Sequence, residues 1–311
     1  MLTTVLNGII DILATVLILG VVFTIIERLF RGVKAPNWYK RPDAKTDVGF
    51  YFLNSVVGPT FQNLAIFAVV VTTVVAVAKF GGATSDELRG LVQRLDKEIS
   101  NGDMSSVSPE IMRNFVSSLP WVTQIFIGLL IADFLYYWGH RIFHKKPYWH
   151  LHAIHHSPPM LDWLSAVRFH PIEDAVMMAW RVTPLLFLGF NPDVFIPVAV
   201  IIGVWDVFSH ANVTWELGPL KYVLITPRFH RWHHTSQEEG LDKNFAGVFP
   251  IYDLLFGTWY MPNRIPTEFG AGEEPVPAGF WHQVLYPFRK PKEGEALARD
   301  MVFRDDSLPN P

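Results

Sequence analysis

Apolar positions along this chain gather into long uncharged runs separated by polar segments. No charged residue occurs from Ile12 to Ile26. With Leu6 to Asp11 before it, this run predicts one spanning helix, because roughly 20 mostly apolar residues cross the hydrocarbon core of a bilayer. No basic residue precedes it and no convincing cleavage site follows, so it does not read as a secretory signal. The next uncharged stretch runs from Val48 to Ala78. Pro59 is expected to break it, leaving Phe61–Val77 as a second span. Residues Gly81–Ser118 are polar, with turn signals at Gly81-Gly82 and Asn101-Gly102. A third apolar helix is expected from Trp121 to His144. Two further apolar segments, Asp174–Phe190 and Val194–Val213, are joined by the turn signal Asn191-Pro192-Asp193. They predict a hairpin bent at Pro184 and Pro197, crossing the bilayer or re-entering it. From Thr214 onward the chain is rich in Gly, Pro and charge and reads as membrane-peripheral.

The expected architecture is therefore all-α, a multi-span membrane helical bundle with a cytoplasmic histidine-rich cap. Residues 1–120 would supply the N-terminal spans and an external loop. Residues 121–262 would form the histidine-bearing domain, and residues 263–311 a peripheral tail. Composition agrees with a membrane protein: 50% of the 311 residues are hydrophobic and 18% charged, where a soluble domain carries about 25% charged residues. A net charge of −3 leaves no basic footprint for nucleic acid. Charge asymmetry supplies an orientation. Six basic residues (Arg28, Arg31, Lys34, Lys40, Arg41, Lys45) follow the first span, against four basic residues among six acids in the 81–118 segment. The positive-inside rule then puts the end of the third helix, and everything rich in histidine, on the cytoplasmic face.

Candidate chemistry is narrowed by the absence of cysteine. Disulfides, thiol nucleophiles, iron–sulfur clusters on Cys and Cys-containing zinc sites are excluded, so any metal must be held by His, Asp or Glu. The chain has 12 histidines. Three boxes hold eight of them: His140-Arg-Ile-Phe-His144, His152-Ala-Ile-His155-His156 and His230-Arg-Trp-His233-His234. His210 ends the second arm of the apolar hairpin. A His-x-x-His-His triplet should arise by chance about 0.02 times in a chain of this composition, so two copies are a strong signal, whereas the lone His-x-x-x-His pair is weak by itself. If the triplets are helical, positions i, i+3 and i+4 throw three imidazoles in one direction. Thr226-Pro227 is a good helix start for the third box. On the third apolar helix Asp133, Tyr137, His140 and His144 form one stripe. A lone histidine is more often a hydrogen-bonded interfacial residue than a ligand. His150 and His282 read that way, and His170 stays open. Nine imidazoles collectively suit two metals of four or five coordination each; imidazole suits Zn, Cu, Fe and Ni alike. Neither His-Glu-x-x-His nor Glu-x-x-His occurs, which argues against a zincin and against a ferritin-like carboxylate site.

The order His-x3-His, His-x2-His-His, His-x2-His-His on a multi-span chain resembles the fatty acid hydroxylase / sterol desaturase superfamily of integral-membrane di-iron enzymes. Supporting matches are Asp133-Phe-Leu-Tyr-Tyr137, Arg168-Phe-His170-Pro171, Thr226-Pro227, Asn244-Phe-Ala-Gly247 and Asp253-Leu-Leu-Phe-Gly-Thr258. The resemblance covers roughly Trp121–Tyr260; the first two spans match only in character. It implies two iron ions held by His140, His144, His152, His155, His156, His210, His230, His233 and His234. It also implies O2 as co-substrate and oxidation of an unactivated C–H bond of a membrane lipid. Some relatives carry a second histidine where this chain has Asp206, four residues before His210. Asp206 is expected to orient His210 rather than bind metal, with Asp133 and Glu173 as further carboxylates that orient imidazoles. For Asp133, inside an apolar helix, a merely structural role is the weaker reading.

The expected reaction is hydroxylation, with desaturation of a lipid or sterol at the same site as the alternative. A reading from another class is a membrane metal transporter or sensor; transport would place ligands at mid-membrane on broken helices, whereas most of these lie beyond the span ends. Spans and boxes take up these 311 residues without a haem or flavin domain, so electrons are expected from a separate donor, cytochrome b5-like, a ferredoxin or an NAD(P)H reductase. The expected location is a bacterial inner membrane, with the endoplasmic reticulum second.

Overall fold

The computed structural model describes residues 2–30, 32, 37–100, 107–213, 215, 217–289 and 291–300. Among them the fold is helical. There are no strands, only isolated bridges at Thr235–Phe269 and Pro277–Leu297. The helices are α1 (Leu2–Leu29), α2 (Ala44–Phe80), α3 (Ser85–Ser100), α4 (Glu110–Ser117), α5 (Trp121–Phe143), α6 (Trp149–His156), α7 (Pro171–Phe187), α8 (Phe195–His210), α9 (Pro227–His233), α10 (Ile251–Phe256) and α11 (Phe280–Leu285). Two of them, α2 and α5, are long and apolar enough to cross a membrane, and α8 is a shorter apolar helix. Leu64 and Val77 on α2, and Val122 and Phe126 on α5, are exposed, the arrangement expected of surfaces covered by lipid rather than water.

One expectation fails. Pro59 does not break the second apolar stretch, and α2 runs through it for 37 residues. A proline inside a helix removes one hydrogen bond and bends the axis. Here several turns of uninterrupted helix former lie on either side, and in an apolar medium unpaired backbone groups are too costly for the helix to stop. Pro197 lies in the first turn of α8, where its missing N–H has no helical partner to lose. The polar 81–118 segment holds two helices, α3 and α4. The turn at Gly81-Gly82 forms, with Gly82 at φ 90°. The Asn101-Gly102 signal lies outside the described residues.

The chain divides into two compact units. The first contains residues 1–56, 140–170 and 205–311; the second contains 57–139 and 171–204. In the second unit Val70 of α2, Leu95 of α3, Val107 and Leu186 of α7 form a core. Gly139 of α5 allows close approach to α7: a Cβ there would lie 2.8 Å from Met177 Sδ. Trp180 of α7 donates its indole N–H to the Leu135 carbonyl of α5 at 2.7 Å. Asp133 and Glu173 belong to this unit, and both are buried.

The first unit carries two apolar clusters. Phe23 of α1 packs with Trp163, Leu164, Ala211 and Val213. Phe50 of α2 packs with Ala153 and Ile154 of α6, and with Val276 and Tyr286 near the C-terminus. These clusters fix α6 and the segment after α8 in place.

Candidate metal centre

All eight box histidines and His210 lie in the first unit, and local structure delivers each one. His140 sits in the last turn of α5 and His144 just beyond its end. The short helix α6 carries His152, His155 and His156. His210 is the last residue of α8. Thr226 caps α9, its hydroxyl accepting the Phe229 N–H at 3.2 Å, and Pro227 occupies the first turn. The N-terminal stop of α9 is therefore fixed, which sets the rotational phase of His230, His233 and His234.

The rings form two groups, one of His140, His144, His152, His156 and His233, the other of His155, His210, His230 and His234. Within each group the candidate donor atoms lie within 4.8 Å of one another. Each triplet is thus divided. The expectation that a triplet aims three rings together is corrected by helix geometry: at about 100° per residue, position i+4 lies about 40° from i on one side and i+3 about 60° on the other. In α6 the pair His152 and His156 serves the first group and His155 the second. In α9 the pair His230 and His234 serves the second and His233 the first. Each His-x-x-His-His helix stands between both groups.

The donor set fits a metal in each group. Nε2 atoms face each other at 3.0 Å for His140–His152, 3.2 Å for His152–His156 and 3.1 Å for His156–His233. In the second group the separations are 3.3 Å for His155–His210, 3.1 Å for His210–His230 and 3.0 Å for His230–His234. Ligand nitrogens about 2.1 Å from a common ion are about 3.0 Å apart at octahedral and about 3.4 Å apart at tetrahedral angles. Four outer ring nitrogens are committed as donors. His140 Nδ1 donates to the Phe245 carbonyl at 2.8 Å and His233 Nδ1 to that of Lys243 at 2.8 Å. His210 Nδ1 donates to the Asp206 carbonyl at 2.8 Å, and His155 Nδ1 to that of Arg168 at 3.3 Å. With the proton on Nδ1, the inward Nε2 carries only a lone pair. At His155–His210, where both rings are so fixed, two lone pairs face each other, an arrangement that suits a cation between them.

Electrostatics keeps those lone pairs bare. Burial, and secondly the neighbouring rings, hold His144, His155, His156, His230 and His234 well below the ordinary imidazole range. Burial likewise pushes His233 down to about 3. These rings are neutral at pH 7, the form that binds metal.

The other candidate residues sit elsewhere. His170 donates to the Val284 carbonyl at 3.2 Å and lies in neither group. His282 pairs with Glu295 at 3.1 Å on the surface, and His150 Nδ1 bonds the Pro147 carbonyl. Asp206 places its carboxylate 3.5 Å from His210 Nδ1, farther than its own carbonyl. In four rings a peptide carbonyl takes the Nδ1–H, and at His210 it is the Asp206 carbonyl rather than the Asp206 carboxylate.

Sequence reasoning missed the segment that supplies two of those carbonyls. Asp242 and Asn244 both have positive φ, 55° and 60°. Asn244 is buried and makes three bonds: its amide donates to the Phe229 carbonyl at 2.8 Å and the Tyr260 carbonyl at 2.7 Å, and its oxygen accepts the Tyr260 N–H at 2.7 Å. Asp253 accepts the Phe245 N–H at 2.7 Å, the Ala246 N–H at 2.9 Å and the Thr258 hydroxyl at 2.6 Å. Asp242 reaches His144 Nδ1 at 3.4 Å and pairs with Lys145. Residues 242–258 therefore form the outer support of the five-histidine group. The signal was the pair of short motifs beginning at Asn244 and Asp253, matched in sequence without a role.

Residues 125–258 match the fatty acid hydroxylase family. Over that segment the chain is similar to the fatty acid hydroxylase superfamily. An ornithine lipid hydroxylase of Rhizobium tropici is 33% identical over 182 residues, 58% of this chain and 55% of the relative. An alkylglycerol monooxygenase of Caenorhabditis elegans is 36% identical over 141 residues, 45% of this chain and 27% of the relative. A very-long-chain aldehyde decarbonylase of Oryza sativa is 32% identical over 142 residues, 41% of this chain and 21% of the relative. The chain thus spans about half the length of the first of these relatives and less of the others. No solved structure matches it. The fatty acid hydroxylase segment contains every histidine of both groups.

Proposed function

We propose that this chain is an integral-membrane oxygenase that hydroxylates an unactivated C–H bond of a lipid. The observation that carries the reading is the pair of buried histidine groups with inward-facing Nε2 atoms 3.0 to 3.3 Å apart. The five-histidine group and the four-histidine group would each hold one iron. Iron bound there supplies reductive activation of O2 and the oxidising equivalents for the C–H bond. Electrons come from a separate carrier, cytochrome b5-like, a ferredoxin or an NAD(P)H reductase.

The chain's own residues prepare that chemistry. Neutral imidazoles offer lone pairs without competing protons. The carbonyls of Lys243, Phe245, Asp206 and Arg168 fix ring orientation. Phe169 stacks on His155 at 4.0 Å between centroids, and Phe245 meets His144 edge-on at 5.0 Å. These rings exclude water from the two groups. Asp206 steadies His210 chiefly through its carbonyl. Asp133 and Glu173 stay proposed as carboxylates that orient imidazoles, Asp133 because a carboxyl inside an apolar helix is costly unless used.

The names of the relatives support a polar-headed membrane lipid as the substrate class. The basic run after α1 supports a multi-span arrangement with the histidine groups on the cytoplasmic side; a bacterial inner membrane is the location we propose. The test is lipid mass spectrometry of cells expressing the wild type or His233→Ala. A lipid heavier by one oxygen, labelled from 18O2 and absent in the variant, is the expected result. A species lighter by two hydrogens would make the chain a desaturase. No oxidised lipid with a protein that carries metal across the membrane would make it a transporter.

A further inference from the structure

A second set of buried charges in the first unit was not legible as a site. Arg41 pairs with Asp47, lies 3.4 Å from Asp43, and places Nε 3.0 Å from Asp162. Arg168 pairs with Asp47, lies 2.7 Å from Asp43, and donates to Ser157 Oγ at 3.1 Å. Glu27 of α1 accepts the Trp163 N–H at 3.1 Å and the Asn212 N–H at 2.9 Å. Arg231 donates to the Leu161 carbonyl at 2.9 Å and the Ala211 carbonyl at 3.5 Å. All seven charged residues are buried.

Their targets share one property. Arg168 lends its carbonyl to His155. Ala211 and Asn212 follow His210 directly, and Arg231 follows His230. Glu27 and Arg231 each tie the segment after His210 to the stretch Leu161–Trp163, which leads through the turn Trp163–Val167 to Arg168. Asp162 caps that turn, accepting the Leu164 N–H at 3.0 Å. Three of the four ligand-bearing positions of the second group are thus clamped by ionic side chains, and His234 follows on α9; Arg168 alone also reaches Ser157, next to His156 of the five-histidine group. The five-histidine group rests instead on the uncharged carbonyls and the Asn244 and Asp253 bonds of residues 242–258. The two groups have supports of different kind.

We propose that Glu27 and Arg231 are positioning residues for the four-histidine group alone, so that metal retention there depends on the buried charge of the first helix and its counterpart on α9. This rests on the two-metal reading above. Chain entropy makes an unpaired clamp loose, and ligands held loosely lose metal affinity by about 10–100-fold.

The decisive experiment loads Fe2+ anaerobically into purified full-length protein, counts iron per chain, and titrates it with a chelator. Glu27→Ala should keep one iron with wild-type affinity and weaken the other by about 10–100-fold. Glu27→Gln, which retains an oxygen for both N–H groups, should recover most of that loss. Combining Glu27→Ala with His155→Ala should cost no more iron than His155→Ala alone. Combining it with His144→Ala should empty both positions. Arg231→Lys, which loses the guanidinium that joins the Leu161 and Ala211 carbonyls, should behave as Glu27→Ala and covers the case in which Glu27→Ala fails to fold. Two irons retained in Glu27→Ala, equal weakening of both, or non-additivity with His144→Ala instead would overturn the proposal. So would aggregation of both variants, which would make the frame a folding element. A wild type that never holds more than one iron would refute the two-metal reading itself.

Discussion

Replacing Asn244 with alanine should strip the five-histidine group of its outer support while touching none of its rings. The side chain makes three buried bonds at 2.7–2.8 Å. Its removal leaves the Phe229 and Tyr260 carbonyls and the Tyr260 N–H without that partner, at about 1–3 kcal/mol for each buried group left unsatisfied. The residue also sits at φ 60°, where alanine costs about 1 kcal/mol more than asparagine. Such terms are not additive in one network, and a net loss of about 4–6 kcal/mol is expected. For a domain of this size that corresponds to a fall in melting temperature of about 10 °C. Asn244→Gly separates the two contributions: it removes the φ cost and keeps the loss of bonds, so it should sit only slightly above Asn244→Ala. The function follows through Lys243 and Phe245, whose carbonyls hold His233 and His140. Iron bound by the five-histidine group should weaken by about 10–100-fold. The measurement is thermal unfolding in detergent with and without excess Fe2+, alongside iron content. An Asn244→Ala protein that melts within a few degrees of wild type and keeps all its iron would refute the assignment of residues 242–258 as the support.

Three further outcomes are expected. Stability of the metal-free protein should rise with pH through the imidazole range and fall as pH drops from 7.5 to 5.5: His144, His155, His156, His230, His233 and His234 stay neutral when folded, whereas the unfolded chain takes up protons below its pKa of about 6.5, a cost of about 1.4 kcal/mol per ring over that window. Acid displaces metal in the same direction, and a melting temperature flat between pH 7.5 and 5.5 would contradict the neutral-ring picture. Asp206→Asn should lower activity modestly, since His210 is held by the Asp206 carbonyl, while His233→Ala loses activity and metal and His282→Ala changes neither; an Asp206→Asn protein as metal-poor as His233→Ala would make Asp206 a ligand. A cysteine at Asp86 in this Cys-free chain should react with an impermeant thiol reagent in intact cells and one at Glu238 only after lysis; the reverse pattern would invert the orientation and move the electron supply to the other side.

How far the sequence carries is best judged residue by residue. The apolar runs located α2, α5 and the hairpin arms α7 and α8, because a membrane-length helix announces itself by the simple absence of charge. The boxes located eight of the nine imidazoles, because spacing on a helix is a local property, and Thr226-Pro227 located the start of α9 for the same reason; His210, outside any box, came as a ligand only with the family resemblance. Pro59 misled because a proline's local cost was weighed without the larger cost of ending a helix in an apolar medium. The ionic frame could not be read. Glu27, Arg41, Asp43, Asp47, Asp162, Arg168 and Arg231 are scattered over 205 positions of the chain, show no period, and taken singly look like surface charge. Only the fold brings them together.

The division of each triplet gives the motif its physical meaning. A His-x-x-x-His pair places two rings about 40° apart on one helix face, enough for one centre. Adding the intervening histidine puts a third ring about 100° from its neighbour, too far around the helix to join the same centre and well placed for a second one alongside. A helix bearing His-x-x-His-His therefore lies between two centres. Two such helices, α6 and α9, with their pairs assigned oppositely, supply three rings to each histidine group. His140 and His144 complete five on one side, and His210 completes four on the other. The unequal count follows from α5 contributing a pair and α8 a single residue. At the place where α8 could have offered a matching pair, one turn before His210, the chain has Asp206, whose carbonyl is already engaged with His210 Nδ1. The asymmetry between the two centres is thus set by one helix end, and it is there that Asp206→His is expected to add a fifth ring.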